Sequence, residues 1–306
     1  MMISQTPPIL FIIFNRKEIA LKSFSSIRNA KPKELYIACD GPRNKKESEK
    51  VNATRNAILN AIDWECNVNT LFQDCNLGCG QGVYTAINWF FDNVENGIIL
   101  EDDCIAESSF FRYAGDLLEK YKEEQRIGMI AGYNPIGLKD YPYSFIFSRY
   151  KSCWGWATWR RAWKNMDLSM DWRNSPYAMS ILANMGDNSR DLSGWRFKLN
   201  AIDNNHVSAW DWQWFFSLSA QNQLCIYPCV NQISNIGNDK DATHTSLASI
   251  TIPSVPLNWP LVVPKYFAPW NEFENVFYRH STTWRIKLIR LLPHSLKQKI
   301  KRLLSK

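Results

Sequence analysis

The stretch that most constrains this chain is Asn96-Gly-Ile-Ile-Leu-Glu-Asp-Asp-Cys104. Ile98-Ile99-Leu100 is a short run with no polar face. Such a run reads as a strand buried on both sides, as in a parallel sheet. Three carboxylates, Glu101, Asp102 and Asp103, follow without a break. In an open α/β sheet, ligands bind beyond the carboxyl ends of the strands. Acidic side chains placed there can hold a hard divalent cation, Mn2+ or Mg2+, through oxygen, and that cation can bridge two phosphates. The motif therefore points to a nucleotide-diphosphate ligand with a divalent metal. Without its surroundings it reads equally well as a solvated acidic turn after a core strand, because short acidic motifs recur by chance.

The flanking sequence supplies those surroundings. Residues 9–14 predict a first buried strand, ended by Asn15-Arg16. Residues 17–29 predict a helix with Ile19, Leu21, Phe24 and Ile27 on one side. Leu35 to Cys39 predicts a second strand, closed by the turn signal Asp40-Gly41-Pro42. Residues 47–62 carry a weaker helical pattern, with Val51, Ile58 and Ile62 on one face and Thr54 filling the gap. Val68 to Phe72 is a third strand. Asn76-Leu-Gly-Cys-Gly80 is a Gly-rich turn into a helix over 82–92, and the acidic strand follows. A helix over 107–124 and a strand over 128–132 come next. This order predicts a doubly wound α/β sheet.

From residue 145 the character changes to Trp-rich segments, which predict a mixed subdomain that completes the site. Residues 180–195 and 235–258 read as loops. The expected organisation is a catalytic domain over 1–280, divided into 1–133 on the nucleotide side and 134–280 on the acceptor side. A tail over 281–306 follows.

Polar groups follow each predicted strand or Gly turn: Asn15 and Arg16, Asp40, Asn76 with Gly78 and Gly80, and the acidic triplet. In a parallel sheet these strand ends share one edge. A base, ribose and pyrophosphate laid along that edge need such a set. Asp40 could accept from a pyrimidine N–H, or be only the first residue of its turn. Arg16 could neutralise a phosphate, or be a solvated strand end. Gly78 and Gly80 do not complete the dinucleotide fingerprint, and there is no Walker sequence.

Two Trp-rich blocks stand out. In Cys153-Trp-Gly-Trp-Ala-Thr-Trp-Arg-Arg-Ala-Trp163, the residues Trp156, Trp159 and Trp163 fall at helical spacing, and at least two are expected in the core. Trp154 and Gly155 precede that helix and are free to line a pocket, the glycine admitting a sugar near the backbone. In Ala209-Trp-Asp-Trp-Gln-Trp-Phe215, Asp211 sits among tryptophans, where lost hydration raises proton affinity and suits a general base. The competing reading is an Asp capping a helix start, with Trp212 and Phe215 in the core. His244 lies in a polar loop, as a metal or pyrophosphate contact or as an exposed side chain.

Charge locates a different function. Residues 281–306 hold eight of the 36 basic residues and none of the 29 acidic ones, so the body is near neutral. This argues against a nucleic-acid-binding face on the main domain. In the tail, Trp284 to Leu292 reads as a basic amphipathic helix, interrupted by Pro293 and resumed from Leu296 to Leu304. Such helices lie in the interface of anionic membranes. The alternative is a helix packed on the domain with its basic face in water. The eight cysteines form no C-x-x-C pair, and no secretory signal or membrane span opens the chain. A cytoplasmic protein with reduced thiols is expected.

The first-strand Phe14-Asn15-Arg16, the Ile-Leu-Glu-Asp-Asp-Cys motif and the 153–163 block resemble nucleotide-diphospho-sugar transferases of the GT-A fold. More narrowly, they resemble a bacterial group found in surface-polysaccharide gene clusters. Residues 97–121 are also similar to the Golgi N-acetylglucosaminyltransferase that begins hybrid N-glycans. That enzyme inverts the anomeric centre with an Asp base in a Trp-Asp-Asp-Trp context. Trp210-Asp211-Trp212 is the matching piece here, with one Asp in place of two. The resemblance spans about residues 8–245.

It implies a metal-dependent, inverting hexosyl- or N-acetylhexosaminyltransferase. Asp103 would bind the metal, with His244 as a further contact. Glu101 and Asp102 would hold the donor sugar and ribose. Arg16 and Asp40 would contact the nucleotide, within a donor set that includes Asn15, Asn76, Gly78, Trp154 and Gly155. Asp211 would be the base. A UDP-sugar is the expected donor and a glycan or lipid-linked glycan the acceptor, at the inner face of the cytoplasmic membrane. A sugar-nucleotide-forming nucleotidyltransferase is the rival, though Phe14-Asn-Arg-Lys-Glu18 lacks the glycines that chemistry uses. A non-catalytic carbohydrate-binding protein is the third reading, and it leaves the three carboxylates without a purpose.

Overall fold

The computed structural model describes residues 6–138, 141–186, 192–237, 251–281 and 292. The first half alternates as expected: β1 (Ile9–Ile13), α1 (Lys17–Ala30), β2 (Glu34–Cys39), α2 (Lys45–Asn60), β3 (Asn67–Phe72), α3 (Gly78–Asn93) and β4 (Asn96–Glu101). A short β5 (Cys104–Ala106), α4 (Ser108–Lys120) and β6 (Ile127–Ala131) follow. Then come β7 (Phe145–Ser148), β8 (Trp156–Trp159), α5 (Arg160–Trp163), a 3-10 turn over Asp171–Asn174 and α6 (Ala178–Ala183). The described chain continues with α7 (Ser193–Asp203), α8 (Asp211–Ala220), β9 (Leu224–Pro228), β10 (Ile233–Asn235) and α9 (Asn271–Ser281).

Eight strands form one sheet in the order β3-β2-β1-β4-β8-β6-β9-β7. β1 pairs in parallel with both β2 and β4, and β2 pairs in parallel with β3. β8 is antiparallel to β4 and β6, and β7 is antiparallel to β9. The result is a mixed, mainly parallel sheet with crossover helices, the doubly wound α/β architecture that the alternation predicts.

Side-chain alternation along each strand feeds two cores. On one face Ile9, Phe11 and Ile13 of β1 meet Phe24 and Ile27 of α1, with Val51 and Ile58 of α2. On the other, Leu10 meets Ile87 and Phe90 of α3, and the same core continues to Trp214 and Phe216 of α8. Both faces are covered, so β4 can be apolar throughout, and Ile98, Ile99 and Leu100 are all buried.

The Trp-rich second half packs differently from the sequence expectation. Trp156 and Trp159 lie on β8, not on a helix. They point to opposite faces, Trp159 into the α1/α4 side and Trp156 into the α3/α8 side. A central strand buried on both faces carries large apolar residues at any spacing, and helical spacing arises there by chance. Trp163 rejoins Trp156, and both pack with Trp210 and Trp214. In the second block Trp210 and Trp214 are thus the buried pair, while Trp212 is only half-buried. The segment expected as a loop over 180–195 contains the end of α6 and the start of α7.

Candidate active site

Because β1, β2 and β4 run parallel, their carboxyl ends open on one cleft. It has a volume of about 910 Å³, and its walls include Asn15, Arg16, Asp40, Asn76, Glu101 and Asp102. Gly78 lines it as well. Residues up to 87 positions apart in sequence, Asn15 and Asp102, are thereby brought to the place where such sheets bind ligands.

The acidic motif has an internal counter-ion. Arg16 donates to both Asp102 oxygens, through Nε to Oδ2 at 3.4 Å and through Nη2 to Oδ1, and also to Asp103 Oδ2 at 2.8 Å. Burial alone would weaken the Arg16 charge, but the two aspartates outweigh it and strengthen its hold on the proton. Asp102 is 5% exposed. Burial pushes its carboxyl up to about 6, against the opposing pull of Arg16. Glu101 keeps an edge on the cleft, yet crowding by protein atoms, then the charges of Asp103, Asp102 and Asp211, push it up to about 8.

Asp103 is held from the other side by the β5/β10 pair. Asn235 Nδ2 donates to its Oδ1 at 3.2 Å, and the Ile236 N–H donates to its carbonyl at 2.9 Å. Gly237 passes so close that a Cβ there would stand 2.2 Å from Asp103 Oδ2. Among the described residues, no group of three or more His, Cys, Asp or Glu side chains is arranged to hold a metal ion. The donor chemistry nevertheless suits a hard cation. The carboxylates of Asp102, Asp103 and Asp211 outnumber the Arg16 charge, and Asp103 offers oxygen to a cation that displaces Arg16. His244 and the basic tail lie outside the described residues.

Asp40 does not present a free carboxylate. Its Oδ1 accepts from the N–H groups of Gly41 and Leu77 at 2.8 and 2.9 Å. Its Oδ2 accepts from Asn76 Nδ2 and the Gly78 N–H at 2.9 and 3.0 Å. Those four bonds match the acceptor capacity of a carboxylate. Asp40 therefore caps the start of α3, and the turn reading of this residue describes what it does here. Asn76 also donates to the Gly41 carbonyl at 2.8 Å. Gly78 takes φ +81°, a left-handed geometry that suits glycine.

Gly155 needs correction too. Its φ is +59°, and a Cβ there would meet Ile233 Cδ1 at 2.4 Å and Leu100 Cδ2 at 3.2 Å. The glycine admits Ile233 and the β8 backbone rather than leaving room for a sugar. Trp154 stands edge-on to Tyr133, with ring centroids 4.7 Å apart.

Asp211 is the first residue of α8 and is half-buried. Cys153 Sγ lies 4.0 Å from its Oδ2. Its charge raises the proton affinity of Glu101, Cys79 and Cys153, so it acts on the acidic motif through space, although it is not among the residues that wall the cleft. Trp210 rather than Asp211 occupies the cap position, and Asp211 stands in the first turn, where the helix dipole favours a carboxylate.

Three participants escape a reading of the sequence. Glu47 accepts from Asn15 Nδ2 at 2.8 Å and from Arg43, whose hydrogen bonds hold the Glu47 carboxyl down at about 2. The i,i+4 spacing of Arg43 and Glu47 is a legible signal, but their link to Asn15 is not. Ser208 accepts from the Gly80 N–H at 2.9 Å, and Asn235 braces Asp103. Both lie more than 100 residues from their partners, and no local pattern marks them.

No protein-family model matches the chain, and no curated protein does. Solved structures share a likeness in shape at low identity. A mannosyltransferase from Pyrobaculum calidifontis, in complex with GDP-Man and Mn2+, is 10% identical with a TM-score of 0.37, over 71% of this chain and 69% of that one. An apo-UDP-glucose pyrophosphorylase is 9% identical with a TM-score of 0.37, over 90% of this chain and all of that one. A cytidylyltransferase from Leptospira borgpetersenii is 13% identical with a TM-score of 0.34, over 54% of this chain. The chain spans 65% of that protein's length, just under two thirds.

Proposed function

We propose that this chain is a metal-dependent, inverting glycosyltransferase acting on a nucleotide-diphospho-sugar, with a UDP-sugar as the expected donor. One observation carries the reading: the ends of β1, β2 and β4 share a cleft of about 910 Å³ with Glu101 and Asp102 of the acidic motif, and Asp211 lies near enough for its charge to act on Glu101. A nucleotide with its diphosphate fits a cleft of this volume, lined by apolar walls and a few convergent polar groups.

In this account Asp211 takes the proton from an acceptor hydroxyl as that oxygen attacks the anomeric carbon. Glu101, whose proton affinity burial raises, contacts an oxygen of the donor sugar. Asp102 and Asn15 orient the ribose end. Asp103 holds Mn2+ or Mg2+, which when bound supplies Lewis-acid stabilisation of the departing diphosphate. Arg16 leaves Asp103 for a phosphate oxygen in that state. His244 is proposed as a second metal contact.

The acceptor is proposed to be a glycan or lipid-linked glycan of a bacterial surface polysaccharide, bound against the 134–280 half. Residues 281–306 are proposed to lie on the anionic inner face of the cytoplasmic membrane. Among the described residues no helix is long and apolar enough to cross a membrane.

A thermal-shift screen of nucleotide-sugars with and without Mn2+ tests the donor reading. A true donor stabilises the fold by mass action, by about 2.7 kcal/mol at a hundred times its Kd. Stabilisation by a UDP-sugar that requires Mn2+, and that Asp103→Asn abolishes, is the expected result. Indifference to every nucleotide-sugar refutes the reading.

A further inference from the structure

The Gly-rich turn does more than border the cleft. Asp40 fixes its entrance by accepting from the Leu77 and Gly78 N–H groups, so the start of α3 is held in one place. Two residues on, the Gly80 N–H donates to Ser208 Oγ at 2.9 Å. The approach is tight: a Cβ on Gly80 would stand 2.9 Å from Ser208 Oγ and 3.1 Å from the Ala209 carbonyl. Gly82 likewise lets the Asp40 carboxylate lie against the helix, since a Cβ there would meet Oδ2 at 3.2 Å. Only two residues separate Ser208 from Asp211, the first residue of α8.

These bonds link two parts of the molecule that the sequence keeps far apart. One end is the turn that borders the cleft, and the other is the segment that leads into α8 and its first residue, Asp211. We propose that Ser208 is a positioning residue: through Gly80 it ties the start of α8, and with it the Asp211 carboxylate, to the turn that Asp40 caps. This rests on the reading of Asp211 as the base. Ser208 is not among the residues that wall the cleft, so its removal leaves the nucleotide surface intact.

The small residues follow from this role. Gly80 leaves room for the Ser208 hydroxyl and the Ala209 carbonyl, which a Cβ would approach to 2.9 and 3.1 Å. Asp40 spends its acceptor capacity on the turn and keeps none for a base. A misplacement of the catalytic group by about 1 Å can cost up to 10²-fold in rate. Losing the hydroxyl is therefore expected to lower kcat while leaving nucleotide affinity alone.

The test compares Ser208→Ala, Ser208→Thr, Gly80→Ala and their double variant with Asp211→Asn, in the full chain with Mn2+. Turnover is nucleoside-diphosphate release from whichever of UDP-glucose, UDP-N-acetylglucosamine and GDP-mannose the parent uses, and UDP is the binding probe. Ser208→Ala and Gly80→Ala should each lose about tenfold or more in kcat with UDP affinity unchanged. Ser208→Thr should recover most of the loss. The double variant should be no worse than the weaker single, since both break one link.

Amide exchange supplies a readout that needs no substrate. The Gly80 and Trp214 N–H groups should exchange faster in Ser208→Ala, at an unchanged melting temperature. Parent-like kcat and exchange in Ser208→Ala, alongside a crippled Asp211→Asn, overturn the positioning role alone. Parent-like turnover in Asp211→Asn overturns the base, and the positioning role with it. A loss confined to UDP affinity, or additive effects in the double variant, also overturns it.

Discussion

Glu101 and Asp102 hold protons at pH values where free carboxyls have lost them, which turns a site property into a stability property. Both acids have folded-state values raised by burial, to about 8 and about 6. The folded state then binds the proton more tightly than the unfolded chain, so stability falls as pH rises through that window. For Asp102 the loss spans its ordinary value of 3.8 to about 6, and for Glu101 it spans 4.5 to about 8. Glu101→Gln removes the second component. Melting temperatures measured from pH 5 to 8.5 should fall less steeply in the variant, which becomes the more stable protein at pH 8. Equal slopes would show that Glu101 is ionised throughout. Asp211→Asn answers a separate question. It should fold and bind UDP normally, yet lose roughly 10²–10⁴-fold in kcat, the usual worth of a general base. Parent-like kcat in that variant places the base elsewhere. At this scale the sequence shows which residues are chemically capable, but not which are already engaged. Asp40 and Arg16 look available in the sequence, and in the fold the protein itself occupies both.

Elements were legible where an apolar run or a helical stripe sits between turn signals. β1, β2, β3, β4 and β6 follow short apolar runs, and α1 to α4 follow apolar periodicity between turn signals. β8 was not legible, because its tryptophans, together with Trp163, fall at the spacing of a helical stripe. The β5/β10 pair was hidden for another reason: Cys104 and Asn235 lie opposite each other but 131 residues apart. Its consequence for function is large, since this pair carries the brace on Asp103. The last described helix, α9, is held by a buried carboxylate. Glu274 accepts from the Arg149 N–H at 2.7 Å, Arg149 Nε at 3.0 Å and Ser148 Oγ at 3.1 Å, while Phe273 is fully buried beside it. Glu274→Ala strands these donors at the end of β7 and should cost about 2 kcal/mol. Chemical denaturation should report the loss, with kcat for the remaining folded protein unchanged. A variant as stable as the parent would show that α9 docks through its aromatic residues alone.

Across the whole molecule, the order of elements predicted the architecture better than any motif predicted a role. Alternation of strand and helix over residues 9–132 demands parallel pairing, and parallel pairing sends the ends of β1, β2 and β4 to one edge. That is why Asn15, Arg16, Asp40 and Glu101 could be grouped from sequence although their side-chain bonds could not. A doubly wound α/β sheet hosts many unrelated chemistries, so the fold does not choose between sugar transfer and nucleotidyl transfer. The choice lies in which bond of the donor breaks. Purified full-length protein with Mn2+ should be incubated with UDP-, GDP- and CMP-sugars and a mixture of glycan acceptors, and the phosphate products identified. Release of a nucleoside diphosphate, with a new glycosidic bond of inverted configuration and loss of turnover in EDTA, is the predicted result. Inorganic pyrophosphate formed from a nucleoside triphosphate and a sugar phosphate, with no diphosphate released from any sugar nucleotide, would contradict it.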